Sequence, residues 1–131
     1  MILLDTHVLV WLAAEPKKLS RSAASAIRRS LRSGGIGAAS ISLWEIAVLL
    51  STGRLRAPGT ADDAIRLLLE KTRVTVLEIT PDVAALATQF PESFPRDPAD
   101  RLIAGTARSR SIPLVTADER MRKSPLIKTI W

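Results

Sequence analysis

The sequence predicts an α/β fold, a three-layer α/β/α sandwich built around a mostly parallel sheet of about five strands. Five short apolar runs alternate with longer segments of helical periodicity, which is typical of a parallel sheet with helices on both faces. Of the 131 residues 47% are hydrophobic, and the mean hydropathy is +0.15, so a folded core is expected. This length favours a single domain over residues 1–131.

The first half of the chain contains the signals for two strands and four helices. The run MILLD is apolar and ends in an acid, as expected of a buried strand, and IGAAS forms a second strand of small residues. Pro16 ends the first helix, Ser20 caps the second, and glycines follow the second and third. The predicted strands are therefore 1–5 and 36–40, and the predicted helices are 6–14, 21–33, 41–53 and 60–72.

The second half continues the alternation with three strands. Pro81 suits the first turn of a helix, and the loop PESFP separates that helix from the next. Asp97 is a good N-cap for this next helix, and Pro98 suits its first position. The predicted strands are 74–79, 112–116 and 126–131, the predicted helices are 80–90 and 98–110, and 117–124 is a helical turn or short helix.

Composition excludes several kinds of catalytic site. The chain has no Cys and one His, so it lacks a thiol nucleophile, a Cys-rich zinc site and a multi-His metal site. A Ser-His-Asp triad would need His7, and no G-x-S-x-G motif is present. A metal held by this chain would have mainly oxygen ligands, which favours Mg²⁺ or Mn²⁺. No apolar run has the length of a membrane span and no secretory signal is evident, so a cytoplasmic protein is expected.

The charge balance favours an anionic partner. The chain has 19 Lys and Arg against 13 Asp and Glu, a formal net charge of +6, and a pI near 10.8. Such an excess is typical of a protein that binds nucleic acid, an acidic protein or an anionic surface. It is equally compatible with a charge that only keeps a small domain soluble.

Four acids lie at the turns that follow predicted strands. They are Asp5, Glu45, Asp100 and Asp118. In a parallel sheet these turns open on the same edge, where ligands bind, so the carboxylates should converge there. Carboxylates a few ångströms apart repel each other, and a divalent cation removes that penalty because carboxylate oxygens are its natural ligands. A Mg²⁺ site beside a basic surface implies phosphate chemistry.

Each acid can also be explained by a helix cap. Asp5 can cap the helix over 6–14, and Asp97 is assigned as the cap of the helix over 98–110, with Asp100 as a first-turn acid. Two further pairs have the spacing of a capping box, in which Glu bonds back to the cap's N–H. These pairs are Ser42 with Glu45, which places Glu45 in a first turn, and Thr116 with Glu119, with Asp118 as a first-turn acid.

Four short motifs surround these acids: DTH at 5–7, SISLWEIA at 40–47, DPADRLIAGTA at 97–107 and LVTAD at 114–118. In this order and at this spacing they resemble the PIN domain. Within that family they are most similar to the VapC-type toxins of bacterial and archaeal toxin–antitoxin pairs. The likeness covers essentially the whole chain, including the terminal aromatic residue in KTIW.

The resemblance implies a magnesium-dependent endoribonuclease that hydrolyses RNA phosphodiester bonds with a metal-activated water, Mn²⁺ being an alternative cation. Asp5, Glu45, Asp100 and Asp118 match the acidic quartet of the family. Asp5 and Asp100 are expected as metal ligands, with Glu45 and Asp118 completing the cavity or binding through water. The resemblance also implies a cytoplasmic homodimer, inhibited by a small antitoxin that inserts a segment into the active groove.

Several further residues are candidates for supporting or binding roles. Thr6 and Thr116 match hydroxyl positions that support the site in the family. His7 is interpreted as a structural or substrate-edge residue. The three tryptophans can stack on bases, although core packing or a dimer contact is favoured for each. The candidates for attraction of the RNA backbone are Arg96, Arg101, Arg108 and Arg110, which otherwise form a solvated helix face.

Three rival functions can be weighed from the sequence. A haloacid-dehalogenase-type phosphotransferase needs a second Asp where His7 stands. A response-regulator receiver needs an acidic pair after its first strand, but Leu4 and Thr6 flank Asp5. A non-catalytic RNA-binding module requires only the basic charge, but it gives no reason for four acids at one sheet edge.

Overall fold

The fold is a five-stranded parallel sheet with helices on both faces, as predicted, in a computed structural model that describes residues 1–131. The strands are β1 (Ile2–Leu4), β2 (Ile36–Ala39), β3 (Thr75–Leu77), β4 (Leu114–Val115) and β5 (Thr129–Ile130). The helices are α1 (Thr6–Ala14), α2 (Arg21–Arg32), α3 (Ile41–Ser51), α4 (Ala61–Thr72), α5 (Pro81–Ala87), α6 (Pro98–Arg110) and α7 (Glu119–Arg122). A short 3₁₀ helix over Pro16–Lys18 follows α1.

The strand order is β3-β2-β1-β4-β5, and all neighbouring pairs are parallel. Leu4, the last residue of β1, pairs with Ala38 on one side and Val115 on the other. β1 is therefore the central strand, with β2 and β3 on one side of it and β4 and β5 on the other. Ligands in such sheets bind at the carboxyl ends of the strands where this direction reverses, between β1 and β4 here.

The central strand divides the hydrophobic core into two layers. Because side chains alternate along a strand, Ile2 and Leu4 face one layer and Leu3 faces the other. The first layer packs the sheet against α1 and α2, with Leu9 and Ile27 among its fully buried side chains. The second layer packs the opposite face against α6 and the segment that precedes it. The three-layer sandwich predicted from the sequence is thus confirmed.

The second layer depends on two features that periodicity does not reveal. The helix predicted over 80–90 ends at Ala87, and the following segment buries Phe90 and Phe94, whose rings stack with centroids 4.2 Å apart. α5 and α6 also approach closely at Gly105, where an added Cβ would lie 2.9 Å from the carbonyl oxygen of Val83. Glycine at this position is therefore needed for packing.

The predicted elements are all present, but the strands are shorter than predicted. The outer strand predicted over 126–131, for example, pairs only at Thr129–Ile130. None of the helices is both long enough and apolar enough to cross a membrane.

Candidate metal centre

A cleft of about 370 Å³ lies at the carboxyl edge of the sheet, where the strand order reverses. All four acids predicted from the strand ends line it, together with Asp97. The remaining lining residues are His7, Trp11 and Ala117. The lining contains no Lys or Arg, and the two salt bridges of the structure, Lys18–Glu15 and Arg66–Asp62, lie outside it.

Asp5 is placed by the end of β1 and by the start of α1. Its backbone N–H donates to Val115, which continues the sheet, and its side chain caps α1 by accepting from the backbone N–H of Thr6 at 2.8 Å. Its other carboxylate oxygen accepts from the Thr116 hydroxyl at 2.7 Å. Burial raises the pKa of Asp5 in spite of these two donors. The predicted capping role of Asp5 is confirmed, and both of its oxygens are held in place.

Glu45 is held from α1 through the Thr6 hydroxyl. Thr6 Oγ1 donates to Glu45 Oε1 at 2.6 Å and lies 2.8 Å from Ser42 Oγ. Because the single hydroxyl proton of Thr6 is given to Glu45, the hydroxyl of Ser42 donates to Thr6. Burial is the main cause of the raised pKa of Glu45, and the nearby Asp5 carboxylate adds to it.

The capping box predicted for Ser42 and Glu45 is wrong. α3 begins at Ile41 with Ser40 in the cap position, so Glu45 lies in the second turn and not in the first. Ser42 is fully buried within the helix and bonds to Thr6 instead of capping. From this second turn Glu45 reaches the Thr6 hydroxyl on α1.

Two acids lie at the start of α6. Asp97 is the N-cap, as predicted, and its Oδ1 accepts from the backbone N–H of Ala99 at 2.9 Å. Asp100, one turn further on, accepts no hydrogen bond from the protein. Burial, reinforced by the carboxylates of Asp5, Asp97, Glu45 and Asp118, raises the pKa of Asp100 to about 7.

Asp118 follows β4 and begins α7. It is the N-cap itself, accepting from the backbone N–H groups of Arg120 and Met121 at 2.9 and 3.0 Å. The capping box predicted for Thr116 and Glu119, with Asp118 in the first turn, is therefore wrong. Thr116 instead connects two acids of the cleft, because its hydroxyl donates to Asp5 and accepts from the backbone N–H of Asp118 at 3.1 Å.

Three of the carboxylates, those of Glu45, Asp97 and Asp100, form a closely spaced group. One oxygen from each lies within 4.8 Å of the others, a spacing that can accommodate a single cation. Oxygen donors of this kind, with no Lys or Arg in the cleft lining, fit a hard divalent cation such as Mg²⁺. Asp97 was predicted only as a helix cap, although its three-residue spacing from Asp100 places both on one face of α6.

The four arginines proposed for RNA contact differ in their surroundings. The guanidinium of Arg101 donates to the carbonyl oxygens of Phe90, Pro91 and Pro95 at 2.9 to 3.2 Å, so it stabilises the segment before α6. Arg108 lies over the ring of Phe90, 5.3 Å from its centroid. The other two, Arg96 and Arg110, are exposed near opposite ends of α6.

Comparison with known proteins identifies the family to which this fold and cleft belong. The model of the PIN domain family matches residues 2–125 of the chain. The chain belongs to the PIN domain family. The resemblance of its four motifs to this family is thereby confirmed.

The relatives of this PIN domain include toxin–antitoxin proteins. It is 40% identical to ribonuclease VapC22 of Mycobacterium tuberculosis, over 99% of this chain and 98% of that protein. Two solved structures share the fold, VapBC2 from Rickettsia felis bound to a promoter DNA fragment and DNA-bound VapBC from Salmonella typhimurium. Their TM-scores are 0.73 and 0.69, with 16% and 22% identity, and each match covers 98% of this chain and 97% of the other.

Proposed function

We propose that this PIN domain is a Mg²⁺-dependent endoribonuclease and the toxin of a toxin–antitoxin pair, acting in the cytoplasm. The observation that carries the proposal is the group of carboxylates at the strand-order reversal, which has no Lys or Arg beside it and forms no salt bridge. The 40% identity with a ribonuclease along the whole chain supports RNA as the substrate.

Asp100 is the central ligand in this proposal. It belongs both to the pair expected from the motifs, Asp5 and Asp100, and to the closely spaced group formed with Glu45 and Asp97. Asp118 completes the acidic wall of the cleft. When bound, the cation lowers the pKa of a water molecule and neutralises charge that develops on the phosphate; Mn²⁺ offers the same chemistry.

The hydroxyl groups around the cleft keep the carboxylates in position. The Thr6 hydroxyl orients Glu45, and the Thr116 hydroxyl orients Asp5. Such second contacts fix a ligand's rotamer and tune its affinity for metal. With a pKa of about 7, Asp100 is partly protonated at neutral pH without metal, so cation binding there releases a proton.

RNA contact is assigned to the exposed cations. Arg96 adjoins the cap residue Asp97 and is exposed, so it is the member of the α6 set best placed to attract a phosphate at the cleft. Arg101 is engaged with three carbonyl groups and is left out of this assignment. Arg110 lies about 15 Å along the axis of α6 from Asp100, at 1.5 Å per residue, so it contacts a more distant part of the RNA.

The protein partners are also part of the proposal. An apolar groove of about 230 Å³ lies between α1, α3 and α4, with Leu50 and Leu68 in its lining and Lys71 beside them. An antitoxin segment with apolar and acidic side chains fits this groove, because its apolar lining is flanked by Arg56 and Lys71. Trp44 is 62% exposed and Val48 is 36% exposed one turn later on α3, which supports a homodimer through this helix.

The test is cleavage of a single-stranded or looped RNA by the purified protein. Cleavage should require Mg²⁺ or Mn²⁺ and stop in excess chelator. An Asp100→Asn preparation, purified in the same way, should be inactive and so excludes a contaminating nuclease. RNA binding without cleavage in saturating Mg²⁺ would support the non-catalytic module instead, and undiminished cleavage in chelator would contradict the metal-dependent mechanism.

A further inference from the structure

A second depression, of about 350 Å³, adjoins the acid cleft along α1. His7 and Trp11 line both, so the two depressions form one continuous surface. Trp11 follows Asp5 by six residues, which corresponds to about 9 Å along the helix axis. A polymer with one phosphate at the carboxylates can therefore extend over this second depression.

Trp11 lines this depression, and neighbouring aromatic rings hold its side chain in position. It is partly exposed and is not among the side chains packed against either core layer. Its ring is tilted against those of His7 and Trp131, with centroids 6.0 and 5.8 Å away. Trp131, by contrast, packs against the first core layer. Trp11 is thus held in position by neighbouring rings while its own surface lines the depression.

The second depression has the opposite charge to the acid cleft. Lys18 and Arg54 line it, and its one acid, Glu15, is paired with Lys18 at 3.1 Å. Lys18 also lies over the Trp11 ring, 5.9 Å from its centroid. Arg54 is exposed in the turn after α3 and makes no hydrogen bond or salt bridge with the protein. A free guanidinium therefore lies beside an aromatic platform, next to a cleft suited to a cation.

We propose that this second depression is a nucleotide subsite, in which Trp11 stacks on an unpaired base and Arg54 contacts a phosphate next to the one held at the carboxylates. The proposal rests on the ribonuclease function above and specifies the substrate as single-stranded. Aromatic stacking combined with cations that follow the backbone is how proteins bind single strands. Bases inside an RNA helix are already stacked and are not available to the indole.

The test measures binding of a fluorescent, unstructured RNA 12-mer of mixed sequence. Binding is read by anisotropy at several salt concentrations, in an Asp100→Asn background that prevents cleavage. Trp11→Leu should weaken binding by about 5- to 150-fold, the value of one stacked base, without changing the salt dependence. The slope of log K against log salt is negative, and Arg54→Gln should make it less negative by about 0.7, the value for one phosphate contact on a single strand.

Matched variants separate the subsite from general effects. Trp11→Phe keeps an aromatic ring and should restore most of the affinity. Arg29→Gln removes another exposed charge, on α2 and outside both depressions, and should leave the slope unchanged. A duplex of the same RNA should bind Trp11→Leu as well as it binds the parent protein. Thermal melts establish that each variant is folded, and if Trp11→Leu is not, the comparison of Arg54→Gln with Arg29→Gln decides.

Two results would overturn the proposal. One is a folded Trp11→Leu protein with unchanged affinity for the 12-mer, and the other is an Arg54→Gln protein with an unchanged slope. If Trp11→Leu keeps its RNA affinity but loses affinity for the copurifying antitoxin, the depression belongs to the protein partner. Because affinity is measured and not cleavage, a failure of the subsite is distinguishable from a failure of the nuclease function.

Discussion

Replacing Asp100 with asparagine should stabilise the metal-free protein and at the same time remove its response to Mg²⁺. Asparagine keeps the size of the side chain but carries no charge. The carboxylate of Asp100 accepts no hydrogen bond from the protein, and four other carboxylates raise its pKa in addition to burial. The substitution therefore removes repulsion without removing a contact.

The magnitude follows from the pKa of about 7, against an ordinary value of 3.8. The folded protein holds this proton more tightly than the unfolded chain, so stability falls as the pH rises between these two values. At about 1.4 kcal/mol per pKa unit, the parent protein loses at most about 3 kcal/mol between pH 5 and pH 8 through this group. Partial exposure of Asp100 reduces this loss. We therefore expect the stability of Asp100→Asn relative to the parent protein to rise by about 1–2 kcal/mol from pH 5 to pH 8, or about 3–10 °C in Tm.

The assay is a thermal melt of both proteins at pH 5 and pH 8, in chelator and in saturating Mg²⁺. In chelator, the Tm advantage of Asp100→Asn should be larger at pH 8 than at pH 5. Mg²⁺ at 100 times its dissociation constant should stabilise the parent by about 2.7 kcal/mol and the variant much less. RNA cleavage should fall by several orders of magnitude because the ligand and its charge are lost together.

Asp97→Asn is the matched control. Asparagine caps a helix as well as aspartate does, so α6 should be retained. Stability in chelator should rise less than in Asp100→Asn, because Asp97 is exposed and is only one of the carboxylates that repel Asp100. The Mg²⁺ response should still shrink, because Asp97 belongs to the closely spaced group. If Asp100 only supports the helix dipole, Asp100→Asn would instead lose about 0.3–1 kcal/mol at both pH values and keep its Mg²⁺ response and activity. That result would refute the metal-site assignment.

Three further substitutions test the supporting structure. Thr116→Val should lower Mg²⁺ affinity about 10- to 100-fold, because Asp5 loses its hydroxyl donor. Mg²⁺-dependent melts measure this affinity, and Thr116→Ser should restore it. Equal Mg²⁺ affinities of Thr116→Val and the parent protein would contradict this role. Gly105→Ala should reduce stability to urea by about 1–3 kcal/mol because the added Cβ meets the Val83 carbonyl. Helix propensity alone would give about 1 kcal/mol of the opposite sign, so a stabilised variant would disprove the close-packing argument. Arg101→Gln should cost about 2 kcal/mol through its lost carbonyl contacts and leave the salt dependence of RNA binding unchanged, whereas a reduced slope would assign it to RNA.

The element order and the parallel sheet were predictable because hydrophobic periodicity, and the residues that begin and end helices and strands, are local properties of the chain. Pro16, Ser20 and the glycines after α2 mark boundaries that the structure closely reproduces. Strand lengths were less predictable, because an apolar run shows which residues are buried but not where a neighbouring strand stops. The position of β1 between β2 and β4 depends on contacts between distant segments, which no local pattern specifies.

The convergence of the acids was predictable from their positions after strands, but their partners were not. Ser42 has the spacing of a capping residue, but its hydroxyl is buried and bonds to Thr6, a contact between two helices that no sequence pattern shows. Arg101 has the pattern of a surface cation, because the carbonyl groups that it binds belong to an irregular segment ten residues earlier. Side-chain partners of this kind are set by three-dimensional packing and leave no periodic signal.

Capping and metal binding were treated as alternatives for these acids, but the structure combines them. Asp5, Asp97 and Asp118 each cap a helix, and the cap hydrogen bonds hold their carboxylates at the sheet edge. Backbone N–H donors at helix N-termini favour negative charge, so they partly offset the repulsion among close carboxylates. Asp100 has no such donor, and the pKa of this residue is raised to about 7. The unfavourable electrostatic energy of the cleft is therefore greatest at Asp100, the carboxylate without a hydrogen-bond donor. A divalent cation bound at Asp100 would relieve the most repulsion.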